Sequence, residues 1–165
     1  MQLAELELGV IEIRNINDHP RISAFASRVK NRQVINSEPW CGYFVGFIFL
    51  IAEVPDIRKK VKYMSIAASW FDNPKRVVWR DGRNTRLGRS PRPGDLVGYR
   101  NKSGRIYHVG IIVSWDDNGR FVSIEGNTSW RQTVERDSSV NDGVRRKNRR
   151  QSQAYIVCDL VEDVA

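Results

Sequence analysis

The strongest constraint on this chain is a run of ten apolar residues at 43–52, YFVGFIFLIA. A helix that is apolar on every face must be buried all round. Ten residues fall short of the roughly 20 that a bilayer span needs, so the run predicts a core helix and no membrane insertion. Pro39 stands just ahead of it. Proline suits the first turn of a helix, where backbone amides lack an intrahelical acceptor. The helix is therefore expected to begin near Trp40 or Cys41 and to end before Pro55.

Other segments fall into place around this one. Leu3, Leu6 and Val10 have helical spacing, and NINDHP then breaks the pattern. A second helix is expected over residues 21–30 and a short one over 65–74. From Asp95 onward the pattern turns to strands: DLVGYR, then RIYHVGIIVSW and RFVSIEGN joined by a tight turn at 116–119. Further strands are expected at 133–136 and in AYIVCDL, with RRKNRR between them as a solvated loop. Helices first and strands second predict an α+β fold, with N-terminal helices packed on a C-terminal antiparallel sheet. A length of 165 residues fits one domain spanning 1–165.

The net charge of +8 favours anionic partners such as nucleic acid, anionic lipid or bacterial cell wall. Residues 74–105 hold ten basic and two acidic side chains, so this one stretch carries a surplus as large as that of the whole chain. Its part from 75 to 92, with Gly82, Gly88 and Pro91 and followed by Pro93, reads as an exposed arginine-rich loop. The loop lacks regularly interleaved aromatics, so no specific nucleic-acid partner is expected. The two cysteines, Cys41 and Cys158, lie too far apart in sequence and context to suggest a disulfide framework or a zinc site. The N-terminus lacks a basic start and an apolar core, so no signal peptide is expected.

Chemistry is suggested by three positions together. A thiol at a helix start has its thiolate favoured by free amides and the macrodipole, and Cys41 is placed there. His108 opens an apolar strand, where an unpaired imidazole is costly. Folding the chain back at 116–119 brings Glu125 or Asn127 opposite His108, depending on the register of the turn. Either side chain can accept the imidazole N–H and leave the other ring nitrogen for a thiol. Trp40, Trp70 and Tyr107 flank these positions as candidate substrate-binding aromatics, although tryptophans at helical positions belong more often to a core. Cys158 is expected to be a buried strand residue.

The segments LGVIE, PWCGYFV, SIAASW, PGDLVGY, HVGIIV and IEGNTS, spread in that order over residues 8–129, resemble the CHAP domains. These are cysteine- and histidine-dependent amidohydrolases and peptidases, relatives of the NlpC-type cell-wall hydrolases. The resemblance implies a papain-like α+β fold that cleaves an amide bond of peptidoglycan, as in phage endolysins, autolysins and antibacterial effectors. It makes Cys41 the nucleophile, His108 the general base, Glu125 the group that orients the histidine, and Asn127 an orienter or oxyanion donor. Gly42 departs from the Ala or Gln commoner after the nucleophile, which predicts a looser first helical turn. The acidic calcium loop of some phage members is missing, since NRQVINSEP holds only Glu38, so neither metal nor cofactor is expected. The expected substrate is peptidoglycan, reached after release or delivery from the cytoplasm by a monomer, with an immunity protein as partner in the effector case. The alternative is a basic module on the same fold that binds nucleic acid or an anionic polymer without catalysis.

Overall fold

The computed structural model describes residues 1–14, 16–31, 38–85, 88–129 and 141–162. Among them, four α-helices precede the strands: α1 (Gln2–Glu5), α2 (Pro20–Lys30), α3 (Cys41–Ile51) and α4 (Ile57–Lys60). Nine of the eleven residues of α3 are buried, so it lies inside the molecule, with α2 on one side and strands on the other. None of the described helices is long and apolar enough to cross a membrane.

α2 begins at Pro20, where the His19 ring Nδ1 accepts the Arg21 amide at 3.1 Å. This bond makes His19 a helix cap. The helix stops at Asn31, whose left-handed φ of 54° turns the chain away. Its Phe25 ring lies 6.1, 5.7 and 5.0 Å from the rings of Trp40, Phe44 and Phe47. Each such pair contributes about 0.5–1.5 kcal/mol beyond the area it buries.

Seven strands form one antiparallel sheet: β1 (Val77–Arg80), β2 (Arg83–Asn84), β3 (Leu96–Arg100), β4 (Ile106–Trp115), β5 (Arg120–Thr128), β6 (Gly143–Arg150) and β7 (Ile156–Cys158). Their order across the sheet is β2-β1-β7-β3-β4-β5-β6. The fold is thus the expected α+β arrangement of helices on an antiparallel sheet. α3 rests against β4 and β5, within the same core as Val109, Ile111 and Ile124. A second, smaller core on the sheet joins Val97, Tyr99, Ile112, Phe121 and Val157 with Trp79.

Three expectations change. The N-terminal helix is only four residues long, and Leu6 is 79% exposed. After Gly9, whose φ is 89°, the backbone leaves the helix and bonds to β6: Val144 N–H donates to Val10 O at 2.8 Å. The arginine-rich stretch at 75–92 is not simply an exposed loop, because it contains the β1–β2 hairpin and is stitched to the C-terminal end. Arg89 donates to Asp95 at 2.7 and 2.9 Å and to Asp159 at 2.8 Å, while Arg76 is buried and donates to the Glu162 carbonyl at 2.7 Å. RRKNRR, expected to be a solvated loop, is most of β6; alternate residues Lys147 and Arg149 turn inward and are buried. The strand expected at 133–136 lies outside the described residues.

The approach of α3 to β5 depends on Gly126. A Cβ added there would stand 2.7 Å from Phe44 Cβ and 2.8 Å from the Trp40 ring, closer than side chains can come. Gly126→Ala is expected to destabilise the fold by about 1–3 kcal/mol through overpacking. Urea unfolding measures this, and an unchanged midpoint would contradict so close a seating of the helix.

Candidate active site

The position of Cys41 is fixed before the helix begins. Trp40 is fully buried and its indole Nε1 donates to Glu12 Oε1 at 2.7 Å. Glu38 accepts the Tyr43 hydroxyl at 2.8 Å on its carboxylate and the Asn17 amide at 3.0 Å on its carbonyl. These ties hold the first turn of α3 in place. The Cys41 side chain there, 2% exposed, sits at the positive end of the helix dipole.

Gly42 does not loosen this turn. A Cβ on it would lie 2.6 Å from the Ser65 carbonyl group and 2.7 Å from the Met64 oxygen, so the glycine lets a neighbouring backbone segment press against the helix start. That segment is itself anchored, since the Trp70 Nε1 donates to Met64 O at 2.9 Å. Trp40 and Trp70, expected to be substrate-binding, are 0% and 2% exposed. Their faces are taken up by the core, which leaves none for a substrate; their part is to hold the walls around Cys41. Tyr107 is 39% exposed, and its ring centroid lies 6.1 Å from that of His108.

His108 and Glu125 meet by way of a gap. The β4–β5 register passes through an irregularity between Ile112 and Ser114 and then pairs Ile111 with Ile124, which puts Gly110 opposite Glu125. A Cβ on Gly110 would strike Glu125 Cγ at 2.7 Å. The glycine therefore leaves the space in which the carboxylate leans across to His108, whose Nε2 lies 2.9 Å from Glu125 Oε2. The Cys41 thiol lies near enough to the same imidazole to favour its charged form, and Nδ1 is the ring nitrogen that Glu125 leaves open.

Glu125 is fully buried and accepts from four residues. Its Oε1 takes the Tyr99 hydroxyl at 2.7 Å, the Ser123 hydroxyl at 2.6 Å and Arg149 Nε at 3.1 Å; its Oε2 takes His108 and Arg149 Nη2 at 2.7 Å. Burial pushes the carboxyl up, but His108 and Arg149 outweigh it and hold Glu125 well below the usual carboxylate range. Burial likewise works against a charged His108. The Cys41 and Glu125 partners overcome it and raise the ring to about 10. Burial, followed by the Glu125 charge, pushes the Tyr99 phenol well above its usual range, so it remains a donor.

Cys41, His108 and Glu125 are thus brought together. Asn127 follows Glu125 in an irregular stretch of the β5–β6 pairing, with a left-handed φ of 58° and a buried Oδ1 that has no hydrogen-bond partner. Sequence reasoning missed Tyr99, Ser123 and Arg149. Ser123 was within reach, two residues before Glu125 on the same strand face. For Arg149 no signal existed, because inward and outward residues of β6 are alike basic. Among the described residues, no three His, Cys, Asp or Glu side chains converge as a metal site.

A family model for the CHAP domain matches residues 33–127. The matched span includes Cys41, His108, Glu125 and Asn127. No curated protein and no solved structure matches the chain.

The raised imidazole has a consequence for stability. Free in the unfolded chain the ring titrates near 6.5, and in the fold at about 10. The contribution of His108 to stability is therefore full below pH 6.5 and is lost as pH rises through about 10. With only two histidines in the chain, NMR can follow the ring directly. It is expected to titrate at about 10, and Glu125→Gln, which removes one of the two groups that raise it, is expected to bring it down toward neutrality. A native ring titrating near its free value would contradict the pairing.

Proposed function

Since the chain belongs to the CHAP-domain family, we propose that it is a peptidoglycan hydrolase that cleaves an amide bond by thiol acyl transfer, with Cys41 as nucleophile. The observation that carries this reading is one buried imidazole bonded to a buried carboxylate and standing beside a thiol. His108 has Glu125 on Nε2, which leaves Nδ1 for the Cys41 thiol.

An imidazole raised to about 10 draws the thiol proton, forming a thiolate and an imidazolium. The thiolate sulfur attacks the amide carbon, and the carbonyl π electrons move to oxygen. The oxyanion is held by the Cys41 backbone N–H at the start of α3 and by the amide of Asn127. His108 then gives its proton to the leaving nitrogen as the C–N bond breaks. Water, losing a proton to His108, attacks the thioester; a carboxylic acid leaves and the thiol is restored. Glu125 stays ionised throughout and fixes the ring's orientation. Tyr107 is the exposed aromatic at this site and is the candidate to contact the substrate.

The protein acts on the wall after release or delivery from the cytoplasm, as a monomeric phage lysin or an antibacterial effector, the latter with an immunity protein as its partner. The reading as a non-catalytic basic module loses ground, because Arg76, Arg89 and Arg92 are bonded to the C-terminal segment.

Cys41→Ala is expected to reduce the release of fragments from purified sacculi by at least about 10³-fold. The melting temperature is expected to stay near the native value, because the small thiol contributes little packing. Mass spectrometry of the fragments identifies the bond that is cut. A Cys41→Ala protein that still digests sacculi would sink the mechanism.

A further inference from the structure

Four neighbouring strands each send a group to the Glu125 carboxylate. β3 supplies Tyr99, β4 supplies His108, β5 supplies Ser123, and β6 supplies Arg149. The charged and titratable groups around it also include Tyr107 on β4, with Lys147 and the cross-strand neighbour Arg145 on β6; Cys41 reaches it through His108 from α3. Arg149 differs from the rest, because its guanidinium forks onto both oxygens, Nε to Oε1 and Nη2 to Oε2. Its side chain is 3% exposed, and it lies 5.1 Å from the centroid of the Tyr99 ring.

We propose that Arg149 is a positioning residue for the thiol chemistry, holding the Glu125 carboxylate ionised and in the plane from which Oε2 accepts the His108 ring. A guanidinium suits this task better than an ammonium. It stays charged at every working pH, and its planar fork matches a carboxylate at two points. The nearby amine cannot replace it: Lys147 donates to the Ser129 carbonyl at 2.9 Å, and burial, followed by the Arg149 charge, lowers it to about 8. Tyr99 and Ser123 are neutral donors, which orient a carboxylate but do not balance its charge. With Arg149 removed, burial would favour the protonated acid. The neutral acid would then leave His108 without its counter-charge.

This inference rests on the proposed thiol mechanism, so its test uses a readout that needs no substrate. The His108 ring is titrated by NMR in native protein, Arg149→Met, Arg149→Lys and Tyr99→Phe. The native ring is expected to show one inflection. Arg149→Met is expected to add a second on the acid side, as Glu125 takes up a proton. Arg149→Lys, keeping charge without the fork, is expected to show that inflection at lower pH. Tyr99→Phe, which leaves the fork intact, is expected not to show it. Sacculus cleavage by the Arg149→Met protein is expected to fall about tenfold or more below the inflection relative to pH 8. Removing one partner of a buried ion pair is strongly destabilising; if Arg149→Met does not fold, Arg149→Lys carries the test.

Absence of an acid-side inflection in every folded Arg149 variant overturns the proposal. So does a loss of cleavage by the same factor at every pH, which is what a purely structural arginine would give. A native protein that leaves sacculi intact while its Arg149 variants show the inflection supports the positioning role and overturns the wall-hydrolase reading.

Discussion

A single buried carboxylate sets the terms for this structure. Moving an ionised Glu125 out of water is costly unless its charge is balanced and its oxygens are bonded. Here five hydrogen bonds from four residues meet that need. The donors lie on β3, β4, β5 and β6, which are consecutive in the sheet. One oxygen pair thus depends on the register of four strands at once. A slip of one residue in any of them would turn its donor to the other face and leave the carboxylate short of a partner.

Cys41 enters this arrangement by packing. α3 is apolar on nearly every side, so its position follows from the shapes of α2 and the sheet rather than from polar contacts along its length. Two glycines decide how near it comes: Gly126 admits Phe44 and Trp40 onto β5, and Gly42 admits the Met64–Ser65 backbone to the helix start. The thiol is therefore carried on a rigid element and His108 on the strand beside it. A thiol and an imidazole carried on rigid, packed elements cost little reorganisation in the proposed reaction.

Much of this was legible in the sequence, and the reasons differ from residue to residue. The apolar run and Pro39 located α3, because an all-apolar helix has only one place to go. The alternation in HVGIIV and SIEGN put His108 near Glu125 or Asn127 but left the choice open. An irregularity in β4 and the empty side of Gly110 decided that Glu125 reaches the ring. Hydropathy misled at β6, where Lys147 and Arg149 are buried although polarity alone would place them in water. Strand alternation there is hidden because the outward Arg146, Asn148 and Arg150 are as polar as the inward Lys147 and Arg149, which bond a backbone carbonyl and a buried carboxylate. The arginines at 76, 89 and 92 misled in the same way. Their partners Asp159 and Glu162 lie nearly seventy or more residues downstream, although Arg89 also bonds Asp95 nearby.

The charge around the site also bears on why the proton moves where it does. Arg149, Lys147 and Arg145 lie on one strand beside Glu125, where burial, followed by the Arg149 charge, lowers Lys147. His108 and Arg149 together make Glu125 a very weak base. In the proposed acyl transfer, a carboxylate that refuses the proton leaves it to travel between Cys41, His108 and the leaving nitrogen. Seen this way, the basic composition of β6 is matched to the acid it surrounds: positive charge on the outer strand keeps the carboxylate charged, and the carboxylate in turn keeps the imidazole basic enough to activate a thiol.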